Sequence, residues 1–302
     1  MRVLVTGGAG FVGTNLIKRL LKDNHDVISV DNYSTGFREN HQDGCNYYDI
    51  DLSDNSWWSL SKTCYCQITC DCQIKPVDLI FNLAALARIQ PSLTNPLKTI
   101  RNNFNSALNV LEWARSTNTP VVFSGSSTFH HGLWGSPYAW SKYAGEQLCE
   151  LYNKVYDLST AICRFYNVYG EHQLEDGAYA TIVGIFEKQY REGKALTVTG
   201  NGEQRRDFTH IDDIVDGLVR CGDALLGEGS SVVSGQAYEL GRGLNFSINE
   251  IVDMFGEDYP REYIPVRKGE YPFTLADYTK AKEELGWNPT KDIKNYILDI
   301  VK

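Results

Sequence analysis

The amino-acid sequence predicts an α/β fold: a Rossmann-type, doubly wound parallel sheet joined to a smaller, discontinuous C-terminal substrate domain. Three observations predict it. The first thirty-one residues run apolar strand, glycine turn, helix, second apolar strand and terminal acid. Strand and helix patterns then alternate to residue 165, as in parallel sheets crossed by helices. After Asn167 the alternation weakens and Gly, Arg and Tyr become more frequent.

The elements follow in order. Arg2–Thr6 reads as the first strand, and Val27–Asp31 as the second. Cys45–Asp49 is a third strand, and Asp51-Leu-Ser-Asp54 resembles a strand end with a helix cap. Val77–Asn82 is a fourth, ending in Leu83-Ala84-Ala85. Thr99–Ser116 carries Ile100, Phe104, Leu108 and Leu111 at helical spacing. Pro120–Ser124 is a buried strand, Tyr138–Tyr156 a long helix and Thr160–Phe165 a further strand. The segment 207–243 is expected to return to the sheet. Residues 1–166 and 207–243 therefore form the expected dinucleotide-binding domain, and 167–206 with 244–302 the substrate domain.

Composition narrows the function classes. A chain of 302 residues, 42% hydrophobic and 22% charged, has enough apolar material for a large core. Its net charge of −9 argues against nucleic-acid backbones and anionic lipid surfaces as partners. No apolar run reaches membrane-spanning length, and the first strand begins at Arg2, so a cytoplasmic protein is expected. Of the 8 cysteines, Cys45, Cys149, Cys163 and Cys221 are scattered, whereas Cys64, Cys66, Cys70 and Cys72 fall together as C-x-C-x3-C-x-C. Four thiolates could hold zinc or copper(I). The spacing is not the usual C-x2-C pair, and the favoured expectation is reduced thiols in a surface excursion, with no metal.

The glycine turn carries the first chemistry. Gly7 and Gly8 permit a tight turn, Gly10 admits a pyrophosphate close to backbone amides, and Gly13 lets helix and strand approach. Phe11 and Val12 open a helix whose positive end favours phosphate. Asp31, eighteen residues after Gly13, is placed to accept from an adenosine ribose diol, and its charge favours NAD over NADP.

The second signal is Tyr138-Ala-Trp-Ser-Lys142. Positions i and i+4 share a helix face, so the lysine is expected to lower the tyrosine pKa and make it a general acid/base near neutral pH. With these residues the chain resembles the nucleotide-sugar epimerases of the extended short-chain dehydrogenase/reductase family over nearly its whole length. Thr6–Gly13 matches the family's glycine motif, and Asp31-Asn32-Tyr-Ser34-Thr35-Gly36 matches D-N-x-S-T-G. Asp51-Leu52 sits where the family contacts adenine; Leu83-Ala84-Ala85 and Asn103 match its L-A-A motif and helix asparagine. Arg164–Gly170 resembles R-Y-F-N-x-x-G, Arg206–Asp212 resembles R-D-Y/F-x-x-V-x-D, and Arg267-Lys-Gly-Glu270 resembles R-x-G-D/E.

The resemblance implies NAD held by these motifs together with Ser124, Tyr138, Lys142 and Tyr166. It implies a sugar nucleotide held by Asn167, Arg206 and Arg267, with Arg88, Ser126, Thr128, Glu270 and Thr274 also in the substrate site. The catalytic serine falls on Ser126 when the segment is aligned from its strand, and on Gly125 when Phe129 is aligned with the family's tyrosine. The strand alignment is preferred, because the strand sets where the backbone emerges. The linker from Ser126 to Tyr138 is short and filled by His130 and His131, which predicts a barer or differently covered pocket.

Ser127 and Thr128 stand where the family's dehydratases carry an Asp-Glu pair, and the decarboxylases' glutamate is missing too. The implied reaction is therefore reversible hydride transfer at C4 of a nucleotide sugar, with a UDP-hexose favoured. A UDP-glucuronate 4-epimerase, another nucleotide-sugar reductase or synthase, and a non-catalytic binding protein remain alternatives. Thr274, four residues after Glu270, leaves room for N-acetylated UDP-hexosamines. A homodimer is expected through helices 99–116 and 138–156, which carry Leu108, Trp113, Leu148 and Tyr152.

Overall fold

The computed structural model describes residues 1–54, 74, 76–131, 133–227 and 230–302. Cys64, Cys66, Cys70 and Cys72, and with them the question of a metal cluster, lie outside the described residues. So does the His131 side chain.

Seven parallel strands form the central sheet: β1 (Arg2–Thr6), β2 (Asp26–Asp31), β3 (Cys45–Asp49), β4 (Leu79–Asn82), β5 (Val121–Ser126), β6 (Thr160–Phe165) and, later in the chain, Gln236–Leu240. That last strand pairs with β6, so the expected return to the sheet is present. From that edge inward and across, the order is Gln236–Leu240, β6, β5, β4, β1, β2, β3. Connections from β1 run first to one side and then to the other, so the sheet is doubly wound and has its switch point between β1 and β4.

Alternation along β1 supplies both faces. Val3 and Val5 pack with Leu16, Ile17 and Leu20 of helix α1 (Phe11–Lys22), and Leu4 packs on the opposite side. On that opposite side lie helix α3 (Pro96–Thr117) and helix α4 (Pro137–Tyr156), with α2 (Ile89–Thr94) leading into α3. Each long helix starts on a cap followed by proline at N1: the Asn95 side chain accepts from Lys98 N at 3.1 Å, and Ser136 Oγ from Ala139 N at 3.1 Å. Both end on a left-handed residue, Asn118 and Asp157.

A third core lies beyond the carboxyl ends of the strands, built from Tyr169, Phe186, Leu196, Val198, Phe208, Ile251 and Ile297. Ala281, Leu285 and Trp287 lie within the stretch 244–302 expected in the smaller unit, yet they pack in the core of the central sheet. Trp287 Nε1 donates to Asp213 O at 2.8 Å and ties that segment to the sheet-side helix Ile211–Leu226.

Trp113 and Tyr152, expected to add apolar surface to a dimer face, are 2% and 6% exposed and face inward. This corrects that part of the sequence reading: both side chains belong to the buried core that includes the strand residues Ile80 and Val121. Among the described residues no helix is long and apolar enough to cross a membrane.

Candidate active site

Because the strands are parallel, the loops after β1, β2, β4, β5 and β6 emerge along one edge of the sheet. They surround a cavity of about 1100 Å³ that reaches to the third core. One end is made by the glycine turn. Gly10, Phe11, Val12 and Gly13 line it, and Gly10 caps α1 with no side-chain acceptor, so the first-turn amides face the cavity without a competing carboxylate. A Cβ on Gly13 would stand 2.2 Å from Gly7 O and 2.6 Å from Gly8 Cα, so only glycine lets the helix approach the turn.

Asp31 closes this end of the cavity. Its Oδ2 accepts from Ala9 N at 2.9 Å and its Oδ1 from Tyr33 N at 2.8 Å, which fixes the carboxylate in place. Each oxygen keeps a further lone pair for a ribose hydroxyl. Burial raises the Asp31 carboxyl above its usual value, and the two backbone amides oppose that rise. Asn32, Ser34, Thr35 and Leu52 also line the cavity. Asp51 does not; it accepts from Asn32 Nδ2 at 3.1 Å and Ser53 N at 2.8 Å, bracing the turn. Gly36 packs behind the glycine turn, against Ala9. Leu83, Ala84 and Ala85 line the floor, with Leu83 N and Ala84 N both donating to Thr6 Oγ1. An uncapped helix end, a glycine cradle and a fixed acid together fit a dinucleotide with an unphosphorylated adenosine ribose.

The middle of the cavity holds the hydroxyl groups. Ser126 Oγ, at the end of β5, accepts from Tyr138 Oη at 3.4 Å, from Thr128 Oγ1 at 3.0 Å and from Thr128 N at 3.3 Å. The strand alignment therefore describes this chain: Ser126 faces Tyr138, while Gly125 faces Glu146 and Arg164. Lys142 is buried behind them, 4.7 Å from the Phe123 ring centroid, and donates to Ser124 Oγ at 3.1 Å.

The electrostatics differ from the expectation. Burial raises the Tyr138 phenol above its ordinary value; the Ser126 hydrogen bond and the Arg88 charge oppose that rise. The Lys142 ammonium donates to Ser124 Oγ, and burial pushes its own pKa down to about 8. The Arg88 guanidinium donates to Ala180 O at 3.2 Å and Ala87 O at 3.1 Å, and among the described residues it has no ion-pair partner.

Two residues expected at the cofactor act from behind it. Asn103 Oδ1 accepts from Leu86 N at 2.8 Å and its Nδ2 donates to Ser141 Oγ at 2.9 Å, pinning the β4 loop to α4. The Tyr166 ring is fully buried and its hydroxyl donates to Glu239 at 2.8 Å, so its side chain does not face the cavity.

The far end gathers Asn167, Arg206, Arg267, Glu270 and Thr274 from three segments spread over 107 positions. Arg206 lies 3.9 Å from Glu270. The Thr274 hydroxyl accepts from Asn167 Nδ2 at 3.1 Å and Asp207 N at 3.0 Å, so its first role is to hold Asn167. Among the described residues the acidic side chains lining the cavity are Asp31 and Glu270.

The short linker forms two 3-10 turns, Ser127–His131 and Leu133–Gly135. Gly135 lies against Tyr271, since a Cβ there would stand 2.0 Å from its hydroxyl, and Trp134 is 87% exposed. His130 is neither a free loop histidine nor a cavity residue; it pairs with Glu239. Glu146 and Arg164, absent from the sequence-based site, lie directly beneath Ser126. The signal for Glu146 was its position one helical turn past Lys142.

A dinucleotide cradle at the switch point, followed by a serine, tyrosine and lysine at one strand end, defines an enzyme class that moves hydride between a nicotinamide and an alcohol carbon. Residues 3–241 match the NAD dependent epimerase/dehydratase family, and the chain belongs to it. The UDP-glucose 4-epimerase of Mycolicibacterium smegmatis is 31% identical over 96% of this chain and 94% of its own length. The UDP-glucuronate 4-epimerase of Thermodesulfobacterium geofontis is 30% identical over 96% and 92%. The crystal structure of UDP-glucose 4-epimerase with UDP-glucose from Thermotoga maritima superposes with a TM-score of 0.87 at 28% identity, covering 100% of this chain and 97% of that one. The protein is thus an NAD-dependent enzyme of the nucleotide-sugar epimerase type.

Proposed function

We propose that this chain interconverts the C4 epimers of UDP-hexoses through a transient 4-keto sugar. The observation that carries the reading is the Ser126–Tyr138 hydroxyl pair, 3.4 Å apart in the same cavity as the glycine cradle and Asp31. Tyr138 removes the proton of the sugar 4-hydroxyl, and Ser126 bridges that oxygen and the phenol. NAD, when bound, would supply a reversible hydride acceptor for C4, leaving the sugar at its starting oxidation level. Gly10, Phe11, Val12, Gly13 and Asp31 would hold its adenosine diphosphate half, and Lys142 its nicotinamide ribose. Tyr138 then returns the proton to the 4-oxygen. Arg206 and Arg267 hold the substrate diphosphate while the keto sugar turns over. Among the described residues no acid other than Asp31, at the ribose end, and Glu270, beside Arg206, lines the cavity to expel a hydroxyl, which favours epimerisation over dehydration. Thr274, a small side chain lining the cavity, is the position at which the proposal admits an N-acetyl substituent.

A second reading, UDP-glucuronate 4-epimerisation, is favoured by Arg88, a cavity-lining cation that acts on Tyr138 and lacks an acidic partner among the described residues. Turnover of UDP-glucose against UDP-glucuronate separates the two, and absence of both rejects 4-epimerisation of either sugar. A homodimer through α3 and α4 is part of the proposal, on the half-buried Leu108 and Leu148 and the exposed Leu151 and Val155. Sedimentation as a monomer at micromolar concentration would contradict it. A cytoplasmic location accompanies this reading.

A further inference from the structure

We propose that Glu146 is a positioning residue for the catalytic centre: its buried carboxylate seats the backbone at Ser126 and balances the charge of Lys142. The inference rests on the epimerase reading of Ser126, Tyr138 and Lys142. Glu146 is 2% exposed. Its Oε1 accepts from Ser126 N at 3.4 Å, and its Oε2 accepts from Arg164 Nε at 3.0 Å and Nη2 at 2.8 Å. It follows Lys142 by four residues on α4, so both charges lie on one helix face.

One departure from the expected sequence pattern now has a physical cause. A Cβ on Gly125 would stand 2.6 Å from Glu146 Oε1 and 2.9 Å from Arg164 Cγ, so a serine there would displace the carboxylate. The Phe129 ring centroid lies 3.4 Å from the Arg164 guanidinium carbon and covers the outer face of the pair. The turn that carries Ser126 and Thr128 is therefore clamped from below by Glu146 and from its far end by Phe129.

A buried ion pair is a poor way to gain stability, because desolvation offsets most of its attraction. Its position explains it better. Lys142 is faced by Glu146 and Cys149 from α4, and by Ser124 and the Phe123 ring from β5. Glu146 is the carboxylate among these, and it opposes the burial that drives Lys142 down to about 8. Glu146 is itself faced by Arg164 from β6 and the Ser126 amide from β5, and its charge also raises the Tyr138 phenol.

Glu146→Gln tests this. Without the carboxylate the burial of Lys142 is left unopposed, so the variant's Lys142 midpoint should move to lower pH. Because Tyr138 loses a neighbouring anion as well, both limbs of the kcat profile should move to lower pH. A purely structural role would scale the rate and leave the limbs in place. ¹³C-lysine NMR follows Lys142 directly, without turnover, and Glu146→Asp keeps the charge and should keep the native midpoint while losing rate. An unmoved Lys142 midpoint in a folded Glu146→Gln protein overturns the proposal. So does a failure of both variants to fold, which would make the pair a structural pin alone. If the native protein turns over no UDP-sugar, the epimerase reading fails, whereas the NMR titration still reports on Glu146 and Lys142.

Discussion

Replacing Tyr138 by phenylalanine removes one oxygen and leaves the ring in place. The folded state loses a single long hydrogen bond, 3.4 Å to Ser126 Oγ. Ser126 keeps its two bonds from Thr128, so no buried acceptor is orphaned. A hydrogen bond that long costs less than the ~1 kcal/mol of an average one, and the melting temperature should stay within a few degrees. Bound NAD should be retained, since the glycine cradle and Asp31 are untouched. The rate is another matter: the proton of the 4-hydroxyl loses its acceptor. General acid/base catalysis contributes at least ~100-fold, equivalent to about 2.7 kcal/mol of barrier. The assay is conversion of UDP-glucose to UDP-galactose, measured with the absorbance of retained cofactor. Near-native turnover in a folded, NAD-loaded variant would remove Tyr138 from the mechanism. Equal loss of NAD and activity would show that the ring holds the cofactor rather than the proton.

Other outcomes follow from the geometry. Gly13→Ala forces a methyl to 2.2 Å from Gly7 O, so purified protein should carry no NAD, read by absorbance and by loss of the NAD-induced rise in melting temperature. Thr274→Val removes the acceptor for Asn167 Nδ2 and Asp207 N and should destabilise by about 1–3 kcal/mol in denaturant unfolding. Thr274→Tyr should lower kcat/KM for UDP-N-acetylglucosamine more than for UDP-glucose; an unchanged preference would show that position 274 is not the gate. Lys142 has its pKa pushed from 10.5 to about 8, so the unfolded chain binds its proton between those values and the folded one does not. Stability should therefore rise as pH increases through that window by as much as about 3 kcal/mol, and Lys142→Met should remove the rise.

The family assignment was legible in the chain because its signals are local. A glycine turn needs adjacent glycines, and the acid that ends β2 follows one strand later. The tyrosine and lysine sit one helical turn apart, so spacing alone put them on a common face. The parallel sheet was legible for a similar reason, since each crossover keeps strand, helix and strand consecutive. What the tertiary structure decided is where charges point once they are out of water. The Tyr138–Lys142 spacing suggested a lysine lowering a phenol pKa, but in the folded protein Lys142 turns to Ser124 and burial dominates both groups. Trp113 and Tyr152 had helical spacing suited to either an interface or a core, and packing against the sheet settled it. Thr274 and Asn167 are 107 positions apart, so no local pattern could reveal that one hydroxyl holds the other side chain. Gly125 looked like a missing serine; only the approach of Glu146 from α4 shows why a side chain has no room there. Sequence specifies which groups are present and their order, whereas long-range packing sets each group's dielectric surroundings and partners.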